Sequence, residues 1–177
     1  MNQLETEHLI LRKAKMSDTE AIWKNVWSDK RIADMMLWPV TETLKEASER
    51  MRKTIQYQSE HYAYFVCLKD TDEAIGFAGV REYDSDTYED SGLCIAVREQ
   101  RKGYAKEALQ ALLKLVFEVL HKKRFIYGCF STNEASRKVC LSQGFHFLET
   151  KEEVRKHDQF EYLAESYFLT KEEYENR

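Results

Sequence analysis

The sequence predicts a mixed α/β (α+β) fold, and three observations carry this. Three apolar, strand-like runs lie between residues 63 and 97, joined by short polar links. An amphipathic helical pattern follows at once. A strand, helix, strand order then runs toward the C-terminus. The short links make the three runs an antiparallel meander. The helix-length gap before the next strand makes that pair parallel, joined by a right-handed crossover.

The elements follow in order. Leu9-Ile10-Leu11, flanked by charges, reads as a first strand. Ser17-Asp18-Thr19-Glu20 has the form of a capping box, so a helix should follow, with Ile22/Val26 and Trp23/Trp27 four residues apart. Pro39 interrupts the chain. Thr43 and Glu46 repeat the capping pattern before a helix marked by Leu44, Ala47, Met51 and Ile55. Ala63–Leu68, Ala74–Val80 and Ser91–Val97 are the meander strands, with a turn at Asp70–Glu73 and a hairpin connection over Asp84–Asp90. Ala105, Ala108, Leu109, Leu112, Val116 and Leu120 mark the amphipathic helix. Arg124–Phe130 is a strand, and Asn133–Ser142 is a short helix ended by Gly144. Phe145–Leu148 and Tyr162–Leu169 are strand-like, and Lys171–Glu175 is a charged tail. There is no linker, repeat or low-complexity stretch, so one domain is expected over residues 1–177.

Composition narrows the function. Apolar residues make up 43% and charged residues 33%, a globular balance. A formal net charge of −4 argues against a nucleic-acid partner. No apolar run is long enough to span a bilayer, and residues 1–7 have neither a basic flank nor an apolar core, so a cytoplasmic protein without membrane association is expected. Cys67, Cys94, Cys129 and Cys140 form no C-x-x-C pair and read as buried, reduced thiols. His8, His61, His121, His146 and His157 lack ligand spacing, so no metal is expected.

The chemistry-bearing segment is Arg98–Ala105, between the third meander strand and the amphipathic helix. A helix N-terminus offers unpaired amides and positive partial charge to a phosphate. Gly103 removes a side chain where backbone must approach a ligand, and Ala105 is small for the same reason. Arg101 and Lys102 oppose the helix dipole, a placement that an anionic ligand would justify. On the residues alone, an ordinary basic turn accounts for the segment equally well. It is neither a Walker loop nor a dinucleotide fingerprint.

Gln100-x-x-Gly103-x-Ala105 resembles the Q/R-x-x-G-x-G/A motif of the GCN5-related N-acetyltransferases (GNAT). The likeness runs along most of the chain. Leu4–Arg12, Asn133-Glu134-Ala135-Ser136 with Gly144-Phe145, and Tyr167–Tyr174 are similar to the RimJ/RimL-like branch, which acetylates ribosomal-protein N-termini. The resemblance implies a mostly antiparallel sheet flanked by helices, with a splayed parallel strand pair at the cofactor cleft. It implies acetyl-CoA as acetyl donor, with its pyrophosphate on Gln100, Arg101, Lys102, Gly103, Tyr104 and Ala105. The backbone of Ile95, Ala96 and Val97 would hold the pantetheine arm and supply oxyanion donors. Asn133 would bond the same arm and Ser136 would face the thioester sulfur; without the family, Asn133 is an N-cap and Ser136 a solvent-exposed helical serine.

Many family members carry a tyrosine general acid seven residues after the asparagine. Here that position is Cys140, which leaves a thiol acid or an inert buried thiol. Glu89 and Asp90 are base candidates, of which at most one can point at the site, against a reading as solvated hairpin. Glu152 and Glu153 are weaker candidates. Trp38 and Tyr83, with Tyr62, Tyr64 and residues 35–39, could line an acceptor cleft or simply pack the core. The acceptor would be a protein N-terminal amine or a small-molecule amine. A catalytically silent CoA sensor is the alternative, and monomer and homodimer both stay open.

Overall fold

The computed structural model describes residues 2–177. Eight strands form one sheet in the order β1-β2-β3-β4-β5-β6-β8-β7. Their ranges are β1 Gln3–Glu5, β2 Leu9–Arg12, β3 Tyr62–Leu68, β4 Ala74–Glu82, β5 Thr87–Ile95, β6 Arg124–Phe130, β7 His146–Arg155 and β8 Phe160–Thr170. All neighbours pair antiparallel except β5 and β6. The meander and the parallel step therefore lie where the sequence puts them. The third meander strand starts at Thr87, not Ser91, because Glu89 and Asp90 pair with β4 instead of forming a hairpin connection.

Helices cover both faces. Helix α1 (Thr19–Ile22) continues into a wider turn over Trp23–Trp27, and α2 (Lys30–Ala33) follows. Helix α3 (Leu44–Glu60) opens with the expected box: Glu46 N–H donates to Thr43 Oγ1 (3.2 Å), and Thr43 N–H donates to Glu46 (3.3 Å). The box expected at Ser17 does not form. Asp18 instead accepts from Lys15 N–H (2.7 Å) and binds the Arg12 guanidinium through both oxygens (2.8 Å each). Helix α4 (Tyr104–Lys114) also widens at its end, α5 is Glu134–Leu141, and the charged tail is helix α6 (Lys171–Glu175), capped by Thr170.

Alternation and register assign the faces. Phe65, Phe77 and Arg81 lie on one, with Trp27 against Phe65 and Trp38 against Phe77. The registers Arg81↔Glu89↔Ile126 then put Phe125 and Tyr127 on the other face, where both rings pack edge-on to Phe145. Strand β3 is buried from Ala63 to Cys67 because both its faces are covered. No helix among the described residues is long and apolar enough to cross a membrane.

Candidate active site

The site begins where two strands part. β5 and β6 pair over only three residues, Thr87↔Arg124 to Glu89↔Ile126. At the next residue β5 bulges against β4, and Gly92 takes φ +113°. A Cβ at Gly92 would stand 2.9 Å from the Phe77 ring. The Asp90 carboxylate fills the start of the wedge. Oδ1 accepts from Gly128 N–H on β6 (2.7 Å) and Oδ2 from Gly92 N–H (3.1 Å), so a side chain replaces the lost ladder bonds. Burial dominates its surroundings and pushes the carboxyl up to about 6, against the pull of the two amides.

Beyond Asp90 the wedge stays open. Ala96 N–H donates to Ile75 C=O on β4 (2.6 Å), so the Ala96 amide is engaged. By alternation, Leu93 and Ile95 turn their backbone groups away from β4 and into the wedge. Of the three backbone positions expected at the cleft, Ala96 has its N–H on β4, and the groups that turn into the wedge are those of Leu93 and Ile95. Gln100 Nε2 donates to Ile95 C=O (3.0 Å), tying the loop to the strand end.

The wedge leads to the first turn of α4. Arg101 (φ +63°) and Gly103 (φ +88°) adopt left-handed conformations that swing the chain into the helix. A Cβ at Gly103 would meet nothing within 4 Å, so the backbone angle, not crowding in the protein, calls for glycine there. No side chain caps this helix end; its first bond runs from Glu107 N–H to Gly103 C=O (3.0 Å). The first-turn amides at Tyr104 and Ala105 precede that bond. Arg101 is exposed, whereas Lys102 pairs with Glu99 (2.8 Å).

Helix α5 supplies the other wall. Asn133 caps it, accepting from Ser136 N–H (3.1 Å). Ser136 Oγ lies 2.8 Å from the Tyr127 hydroxyl. Burial, with the nearby Asp90 carboxylate, raises the Tyr127 phenol far above its ordinary range, so it stays protonated. Tyr127 was not singled out from the sequence: strand alternation puts it on the Phe125 face, but only the fold brings it to Ser136. Cys140, the sequence candidate for an acid, is fully buried. Its thiol donates to Arg137 C=O (3.2 Å), and burial pushes it up to about 12, so it faces the core and holds its proton.

Of the carboxylate pair, only Asp90 enters the wedge. Glu89 points to the opposite face and pairs with Arg81 (2.7 Å). Glu152 and Glu153 are exposed along β7. On the Glu89 side of the sheet, a cavity of about 370 Å³ reaches from Trp27, Trp38 and Arg50 to Ser91 and Gly92 at the bulge. Trp38 and Tyr64 line it, but Tyr83 does not: it is 57% exposed on the β4–β5 connection. The residue 33–36 segment beside Trp38 is held from the β7–β8 hairpin. Buried Arg155 donates to the carbonyls of Ala33 (3.4 Å), Asp34 (3.1 Å) and Met36 (3.2 Å) while pairing with Asp158 (2.6 Å). Among the described residues, no group of three or more His, Cys, Asp or Glu is placed to hold a metal ion.

A sheet that splays at one parallel pair, with an uncapped helix at the wedge mouth, is the fold of solved acetyltransferase structures. Residues 8–146 match the family model of the acetyltransferase (GNAT) domain, and the chain belongs to that family, in its RimJ/RimL-like branch. It is an N-acetyltransferase. It is similar to the N-acetyltransferase p20 of Bacillus licheniformis, with 27% identity over 148 residues, 82% of this chain and 83% of p20. The fold is shared with a GNAT acetyltransferase from Bacillus anthracis (TM-score 0.83, 24% identity, 96% of this chain and 99% of the other). It is shared also with RimL, the ribosomal L7/L12 α-N-protein acetyltransferase (TM-score 0.78, 19% identity, 96% and 94%).

Proposed function

We propose that this chain, as a single domain over residues 1–177, moves the acetyl group of acetyl-CoA directly to a primary amine in the cytoplasm. The observation that carries the reading is the wedge that opens after Glu89 and ends at the uncapped first turn of α4. GNAT enzymes use acetyl-CoA. Its pyrophosphate would lie on residues 100–105, with Arg101 already in solvent and Lys102 exchanging Glu99 for phosphate. Its pantetheine arm would extend the sheet along Leu93, Ile95 and Val97, with the free Asn133 Nδ2 on the other side.

In the reaction, the amine nitrogen forms a bond to the thioester carbon, the C–S bond breaks, and the nitrogen loses a proton. Backbone amides of the wedge would stabilise the oxyanion. Asp90, with a carboxyl near pKa 6, is ionised at neutral pH and can take the proton from the ammonium. Ser136, positioned by Tyr127 donating to its oxygen, would hydrogen-bond the departing sulfur, and the thiolate takes up the proton that the nitrogen loses on collapse of the tetrahedral adduct. The acceptor would enter through the cavity that ends at Ser91 and Gly92. RimL's activity on a ribosomal-protein α-amine makes a protein N-terminal amine one acceptor class, and the largely apolar cavity makes a small amine the other.

A thiol-release assay with acetyl-CoA and an amine panel tests this. The expected result is saturable, amine-dependent release of one free thiol per acetylated amine. Binding of acetyl-CoA without release for any amine would replace the enzyme by a CoA sensor, and no binding would remove the reading altogether.

A further inference from the structure

One half-buried cation in the cavity has no anion among the described residues. Arg50, half-buried on α3, stacks its guanidinium over Trp27 (4.6 Å to the ring centroid) and Trp38 (4.2 Å). Its one side-chain hydrogen bond goes from Nη1 to Thr41 Oγ1 (3.0 Å). Among the described residues no carboxylate pairs with it, whereas Arg12, Arg137 and Arg155 each hold one. A guanidinium has five donors in a fork matched to carboxylate or phosphate, and four here have no protein acceptor. Burial pulls Arg50 down to about 10, the mark of a charge that has lost water without gaining an anion. Lys53, on the same wall, has no ion pair either, while Phe65 and Phe77 make the remaining wall apolar.

The cavity's far end is Ser91 and Gly92, beside Asp90 and the opening of the wedge. We infer that Arg50 holds an anionic group, a carboxylate or a phosphate, on the amine acceptor, whose apolar body lies between Arg50 and the bulge. This deepens, and rests on, the acetyl-transfer reading. It makes the acceptor a zwitterionic small molecule: the amine meets Asp90's side of the wedge, and the anion stays at the two tryptophans. A volume of about 370 Å³ accommodates one amino-acid-sized molecule.

Two measurements test it. In the first, 4-(2-aminoethyl)benzoate, its phosphonate analogue and phenethylamine serve as acceptors for wild type, Arg50→Lys and Arg50→Met. The expected result is a KM for an anionic acceptor roughly 10- to 100-fold below that of phenethylamine, lost in Arg50→Met and partly kept in Arg50→Lys, with phenethylamine itself unmoved. The carboxylate and phosphonate arms show which anion fits. Equal KM values in wild type, or an equal rise for charged and neutral acceptors in Arg50→Met, would overturn the inference. The second uses no turnover: tryptophan emission is titrated with 3-phenylpropionate and with 3-phenylpropanamide. Tighter binding of the carboxylate by wild type, abolished in Arg50→Met, supports the anion seat; equal binding, or none, removes it. Acetyl-CoA affinity, measured on the same proteins, separates the two levels. If acetyl-CoA does not bind wild type, the acetyl-transfer reading fails, and the emission titration still judges Arg50.

Discussion

Replacing Asp90 by asparagine alters the wedge with little change of shape. The substitution keeps an oxygen for Gly128 N–H but sets an amide nitrogen against Gly92 N–H, so it carries a cost of about 1–3 kcal/mol at every pH. It also removes a charge half-buried between β5 and β6. Burial raises the Asp90 carboxyl from 3.8 to about 6, so the folded chain binds the proton more tightly than the unfolded one between those values. Stability from this group is therefore greatest below pH 4 and falls as pH rises through 6. At 1.36 kcal/mol per unit, the wild type loses roughly 2–3 kcal/mol relative to Asp90→Asn between pH 4 and pH 7. Urea denaturation of both proteins at pH 4, 5, 6 and 7 reads this directly, because other groups cancel in the difference. A difference that is flat with pH, or that favours the wild type as pH rises, would refute the burial argument. The same substitution should remove an acidic limb near pH 6 from the rate profile.

Three further outcomes follow from the site. Ser136→Ala should lower kcat about 10-fold or more with the KM for acetyl-CoA changed less than about threefold, since the Ser136 backbone N–H still binds Asn133; steady-state kinetics decide it, and an unchanged kcat would exclude Ser136 from the chemistry. Tyr127→Phe should reproduce part of that loss of kcat, and full activity would show that Ser136 needs no positioning. Arg155→Met removes the charged donor to three carbonyls and should destabilise the fold by about 2–4 kcal/mol in urea, with faster amide exchange over residues 33–36; a change below about 0.5 kcal/mol would show that the hairpin does not hold that segment.

What was legible in the sequence was local. Thr43 and Glu46 sit three residues apart and form their box without help from the rest of the chain. Gln100–Ala105 is likewise a short loop whose glycine and following helix are neighbours in sequence. Arg124–Phe130 is legible to the residue, because it is a short, nearly continuous apolar run with aromatic residues between a charged segment and a polar turn. The misreadings come from distant partners. Ser17 lost its capping role because Arg12 draws Asp18 into a buried ion pair. Glu89 and Asp90 resemble a polar loop until Arg81 and Gly128 make them strand. β1 is three mostly exposed residues, paired with β2 and with Leu4 alone packed against the core. The lysine- and glutamate-rich tail forms a helix because Thr170 caps it and Tyr174 packs on Phe117. Tyr127 beside Ser136, and Arg50 between two tryptophans, arise from register and helix packing that no spacing rule reveals.

Amide mapping of the full chain, labelled with nitrogen-15 and titrated with acetyl-CoA, bears most directly on where the donor lies. Saturable shifts should concentrate at Leu93, Ile95, Val97, residues 100–106 and Asn133–Ser136, with Ala96 least affected because its N–H remains bonded to Ile75. Shifts centred elsewhere, or none that saturate, would contradict the wedge as the seat of acetyl-CoA.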